Sequence, residues 1–163
     1  MSYTKSELEK KSESFLQIYM TAKDATITMH PDRQFDDWDM KVSYPDGVTN
    51  FVEIKSFPHP WNDLLVEIIE DIDRGDPGWW YQTKADTLAY VFYNNEIDEV
   101  PESIYTITTT KVKSYIAENA EELFRLSKIS RKGYGITLFI YLPLDLATKI
   151  YPETKDDALT IPW

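Results

Sequence analysis

Three side chains near the middle of the chain could do hydrolytic chemistry together: Asp39, Glu53 and Lys55. Asp39 precedes the run Met40-Lys41-Val42, and Glu53 and Lys55 stand two apart in Val52-Glu53-Ile54-Lys55-Ser56. Two carboxylates suit a hard divalent cation such as magnesium or manganese. A nearby ammonium can stabilise charge on a phosphate or help to activate water. The set suits metal-dependent cleavage of a phosphodiester.

The elements that must position these groups are a hairpin and its neighbours. Met40, Val42 and Tyr44 alternate as in a strand, and Tyr44-Pro45-Asp46-Gly47 is a turn signal. Phe51, Val52, Ile54 and Phe57 give the next segment the character of a central strand. Alternation puts Glu53 and Lys55 on one face and Ile54 on the other. Charges on so apolar a strand must be paired, solvated or metal-bound. The bland alternative is an exposed Glu-x-Lys pair on a half-buried strand.

With these residues in place, the chain resembles the PD-(D/E)XK nuclease superfamily, whose restriction-endonuclease-like core carries Asp39 and then Glu53-Ile54-Lys55 as its signature. Asn62 to Ile68, Gly78-Trp79-Trp80 and Thr83 to Val91 look like the downstream part of phage-type and resolvase-like members. The resemblance spans roughly the first two-thirds of the chain, on a short and degenerate motif. One departure is that Trp38, not proline, precedes Asp39. The resemblance implies a metal held by Asp39, Glu53 and the Ile54 carbonyl, with Lys55 as the catalytic lysine. It also implies a glutamate from the first helix, with Glu9 preferred over Glu13, and a polar assistant at Gln82. It places Glu67 on the active-site side of a strand. Two cuts on duplex DNA would favour a homodimer.

Composition bounds the rest. At 163 residues, 42% hydrophobic and 14% aromatic, the chain supports one folded domain. It has no cysteine and two histidines, His30 and His59, which excludes disulfide frameworks, thiolate zinc sites and histidine-rich metal sites. The longest apolar run, Ile136 to Leu144, is too short for a membrane helix. The N-terminal segment lacks a signal-peptide core, so the expectation is a cytoplasmic protein, in the host cytoplasm if phage-encoded. Net charge of −11 opposes simple duplex binding, which draws on basic surface. Candidate basic clusters are Lys5, Lys10 and Lys11, then Lys111 and Lys113, then Lys128, Arg131 and Lys132. For each cluster an ordinary solvated face is the simpler reading.

Along the chain, Thr4-x-x-Glu7 has capping-box spacing and opens a helix to about Thr21. Ala25 to Met29 reads as a strand, ended by His30-Pro31-Asp32-Arg33; Asp36 and Asp37 read as loop acids. Leu64, Leu65, Ile68, Ile69 and Ile72 have helical spacing, but the resemblance implies a strand over Leu64 to Glu70, which the β-rich composition permits. Asp73 to Gly78 is a loop. Trp79, Trp80 and Tyr81 could stack on bases or pack a core. Strands are expected at Leu88 to Tyr93 and Ile104 to Thr108. A helix follows, capped by Thr109 or Thr110, and Ala120 to Leu126 is also helical. Ile136 to Tyr141 is the expected last strand. The tail from Tyr151 reads as loosely ordered. The expected architecture is α/β: a restriction-endonuclease-like core, with a central mixed sheet and helices on both sides.

Two alternatives to a nuclease remain open. One is a catalytically silent module on the same fold that binds nucleic acid or protein. The other is an interaction protein in which the acids are only a solvated face.

Overall fold

The computed structural model describes residues 6–30, 38–132 and 135–153. Asp36, Asp37, Thr4 and the tail beyond Glu153 lie outside these residues. The elements in order are α1 (Glu7–Thr21), β1 (Thr26–Met29), β2 (Met40–Ser43), β3 (Thr49–Phe57), β4 (Asp63–Asp71), β5 (Asp76–Pro77), α2 (Trp79–Gln82), β6 (Thr87–Phe92), β7 (Ser103–Thr108), α3 (Thr109–Arg125), β8 (Lys128–Lys132), β9 (Gly135–Pro143) and β10 (Thr148–Tyr151). A 3-10 turn, Leu144–Leu146, joins the last two strands.

Among the described residues these strands make two sheets. The larger runs β1-β2-β3-β6-β7-β10 and the smaller β5-β4-β9-β8. In the larger sheet β3 and β6 are parallel and their neighbours antiparallel, so the sheet is mixed and the class α/β. The parallel pair needs a long crossover. That crossover carries β4, β5 and α2, and so delivers the Trp79-Trp80 segment to the face of β3.

The sequence of β6 explains the layering. All six of its residues, Thr87-Leu88-Ala89-Tyr90-Val91-Phe92, are buried. A strand buried on both faces reads as a continuous apolar run. Ala89 and Val91 join Leu16 and Met20 of α1, with Met40, Val42, Val52 and Ile54, in one core. Leu88, Tyr90 and Phe92 join Leu64 and Val66 of β4, Ile140 and Leu142 of β9, and Val112 and Leu123 of α3 in the other. The expected flanking helices are therefore present on both faces, but β4 and β9 supply much of the second layer. The Tyr90 hydroxyl ties the layers by donating to the Leu65 carbonyl at 3.0 Å.

Several boundaries follow local chemistry. The first helix is capped by Ser6, not Thr4: the Glu9 N–H donates to Ser6 Oγ, and the Ser6 N–H donates to Glu9 Oε2 at 2.6 Å. The β2–β3 turn closes with Gly47 N–H on the Tyr44 carbonyl, and Gly47 has a φ of +89°, which suits glycine. The segment over Asp63–Asp71 is a strand, with a register shift between Glu67 and Ile69. The cap of α3 is Thr108, one residue before the expected pair. Asn119 breaks the helical dihedrals inside α3, which joins the two expected helical stretches across a kink. Three strands were not expected: the two-residue β5, inside the expected Asp73 to Gly78 loop, β8, which is the basic run from Lys128, and β10, which follows the supposed last strand.

Candidate functional site

Asp39 stands at the entrance to β2, where backbone bonds hold it on both sides. Its N–H donates to the Val52 carbonyl at 2.8 Å, and its carbonyl accepts from the His30 N–H at 3.1 Å. Its carboxylate turns onto the neighbouring strand, where Oδ2 accepts from the Ile54 N–H at 2.7 Å. β2 begins at Met40, opposite Val52, so no β2 carbonyl lies across from Ile54 to take its N–H; the Asp39 side chain takes it instead. Asp39 is thus fixed against the peptide that joins Glu53 to Ile54.

Glu53 and Lys55 lie on the opposite face of β3 from α1. Val52 and Ile54 pack in the core with Leu16, and Ser56 Oγ bonds Ser12 Oγ on α1 at 2.7 Å. The alternate residues Glu53 and Lys55 project toward the layer of β4 and α2. Lys55 Nζ is 2.7 Å from Glu53 Oε1 and 4.3 Å from the centre of the Trp79 ring. Glu53 is 3% exposed and Asp39 7%. These carboxylates are therefore no solvated face.

Trp79 is held in place from behind. Its N–H donates to Glu67 Oε1 at 3.4 Å, and the Gly78 N–H donates to the Ile68 carbonyl at 2.9 Å. A Cβ on Gly78 would meet the Glu67 carbonyl oxygen at 2.3 Å, so only glycine allows this approach. Tyr90, opposite Lys55 on β6, has its pKa pushed up by burial and then by the charge of Glu53. That coupling places Tyr90 in the same electrostatic neighbourhood.

The other sequence candidates are placed as follows. Glu9 closes the capping box of α1. Glu13 is buried on α1, next to Ser12. Among the described residues no group of three or more His, Cys, Asp or Glu could hold a metal, so neither helix glutamate forms one cluster with Asp39 and Glu53. Gln82 is exposed, and its amide donates to the Pro77 carbonyl at 3.0 Å. His30 packs against Trp38 at 4.4 Å and His59 against Trp61 at 5.6 Å between ring centres. Trp79 is the member that spacing alone did not single out. A tryptophan just after a Gly-Asp-Pro-Gly loop was the available signal.

The donor set fits a hard cation. Two carboxylates are the number magnesium commonly takes from protein, with waters and substrate phosphate completing its shell. A carboxylate offers roughly four lone-pair sites, so one hydrogen bond or ion pair does not exhaust it.

The basic candidates divide. Lys10 pairs with Glu7 at 2.9 Å, Lys11 donates to the carbonyls of Glu96 and Asp98, and Lys111 donates to the Leu146 carbonyl. Lys128 and Arg131 are exposed on β8, an edge strand. Lys on an edge strand commonly blocks unwanted pairing. No helix among the described residues is long and apolar enough to cross a membrane.

No protein-family model matches the chain, and no match was found among curated proteins.

Proposed function

We propose that the chain is a magnesium- or manganese-dependent DNA endonuclease of the PD-(D/E)XK type, acting in the cytoplasm. The observation that carries this reading is the Asp39–Glu53–Lys55 arrangement: an Asp39 carboxylate bonded to the Ile54 N–H beside Glu53, with the Lys55 ammonium on Glu53. Asp39, Glu53 and the Ile54 carbonyl would hold the metal. When bound, it would lower the pKa of a coordinated water and offset phosphate charge. The other steps fall to the chain. Burial of the two acids keeps their carboxylates fixed and partly dry, where charge interactions are stronger. Lys55 would stabilise the negative charge that builds on the phosphate as the bond to the leaving oxygen breaks. An ammonium paired with Glu53 has no lone pair to accept a proton, so the observed contact favours this electrostatic role over that of a general base. Glu9, Glu13 and Gln82 have no role in this version.

A silent binding module on the same fold is the second reading. It is favoured by the commitment of Lys55 to both Glu53 and Trp79. It predicts nucleic-acid or protein binding without turnover. The test is a panel of linear, branched and single-stranded DNAs with magnesium, manganese or EDTA, beside Lys55→Ala. Metal-dependent cutting that the variant loses supports the nuclease. Absence of cutting by a folded protein on every substrate favours the module. Sedimentation with and without duplex DNA tests the homodimer.

A further inference from the structure

The single turn α2 has a second working face. Trp79 covers Lys55, and the next residues, Trp80 and Tyr81, turn to a surface cavity of about 420 Å³. Thr83 and, from α3, Lys113, Ile116 and Ala117 complete its lining. A cavity of this volume lies in the range of small-ligand sites.

Three features of the lining point to the same chemistry. Trp80 is buried in the core and gives the cavity a rigid floor. Tyr81 is 66% exposed, and among the described residues its ring packs on no other aromatic ring. A large aromatic left this open has surface available for stacking. Lys113 is exposed, and its ammonium makes no hydrogen bond or ion pair among the described residues. A flat apolar ring beside an uncommitted ammonium matches an unpaired base with its phosphate. A paired base in a duplex would not present its face to Tyr81.

We propose that this cavity binds an unpaired nucleotide of a DNA strand, with its base stacked on Tyr81 and its phosphate on Lys113. The inference rests on the nuclease reading for its choice of DNA. The substrate would then carry a single-stranded segment at this face of α2. An acidic chain has no need of a broad basic surface if it grips a strand by stacking, so the site also accommodates the net charge of −11.

The test is fluorescence-anisotropy binding of a labelled 15-mer oligothymidylate and of a hairpin duplex of equal length, in EDTA so that no cleavage occurs. The full chain should bind the single strand more tightly than the hairpin. Tyr81→Ala should weaken that binding about tenfold, and Tyr81→Phe should restore it, since the ring and not the hydroxyl stacks. Lys113→Ala should lower the slope of log affinity against log salt by about 0.7, the value for one phosphate contact on a single strand. Equal affinity for both probes would overturn the site, as would Tyr81→Ala and Lys113→Ala variants that bind like the parent chain. The cleavage panel fails or succeeds independently: cutting without any effect of Tyr81→Ala removes this site and leaves the nuclease.

Discussion

Among single residues, Asp39 and Lys55 each hold the fold besides any chemistry they do. Asp39→Asn keeps an oxygen for the Ile54 N–H and removes only the charge. It should unfold in urea within about 1 kcal/mol of the parent, whereas Asp39→Ala leaves that N–H without its acceptor and should lose about 1–3 kcal/mol. Equal stabilities for the two variants would show that the bond contributes nothing. Lys55→Ala leaves a carboxylate that is 3% exposed without its ammonium. Breaking a fully buried pair costs about 3–5 kcal/mol. Lys55 is itself 22% exposed, so about 2–3 kcal/mol is expected in urea unfolding, with recovery on adding Glu53→Gln. A loss below about 1 kcal/mol would mean that the pair is effectively solvated. Activity comparisons of Lys55→Ala therefore belong at temperatures where the variant is folded.

Elements decide whether those residues meet. The hairpin was legible because β-branched and aromatic alternation surrounds a Pro-Asp-Gly turn. Over Asp63–Asp71 the helical spacing competed with the strand that the resemblance implied and the β-rich composition allowed, and pairing with β9 makes it a strand. The strand β8 was hidden because Lys-Ile-Ser-Arg-Lys contains one apolar residue; an edge strand needs no apolar face when its outward side meets water. The strand β10 is only four residues, too short for periodicity to register. Trp79's position over Lys55 could not be read from spacing, since it depends on a crossover that packs Gly78 against Glu67. Gly78→Ala should therefore shift α2 and cost about 1–3 kcal/mol, with a changed tryptophan emission. Unchanged stability and emission would mean that the contact relaxes freely. At α3, Thr108→Ala should cost about 1 kcal/mol and Thr110→Ala much less, because the Thr108 side chain accepts the Lys111 N–H. Reversed values would restore the cap expected from sequence.

On the scale of the whole molecule, ionisation links the two cores to pH. Burial raises the hydroxyl pKa values of Tyr19, Tyr90 and Tyr93 in the folded state. Glu153 adds to the rise at Tyr19 through its hydrogen bond, and Glu53 adds to the rise at Tyr90 through its charge. A raised folded-state pKa contributes stability in full below the unfolded value near 10 and loses it as pH climbs beyond. Unfolding should thus coincide with tyrosinate absorbance as alkali is added, at a pH above that of free tyrosine. Tyrosinate that appears near pH 10 with the fold intact would contradict the burial. On the acid side, hydrogen bonds from Lys23 and Tyr19 hold the Glu153 carboxyl below its ordinary range. Its contribution is present above the unfolded carboxylate value and is lost as pH falls through the lowered one, loosening the contact of β10's end with α1.

As proposed here, Asp39 serves a metal-dependent hydrolysis and not the fold alone. The most direct measurement is magnesium-dependent cleavage of the DNA panel by the parent chain and by Asp39→Asn, both shown by urea unfolding to be equally stable. Cutting by the parent should be abolished by EDTA, and the variant should lose at least about a hundredfold, the scale on which removal of one preorganised charge-stabilising group is felt. Equal cutting by both proteins, or cutting that survives EDTA, would contradict it.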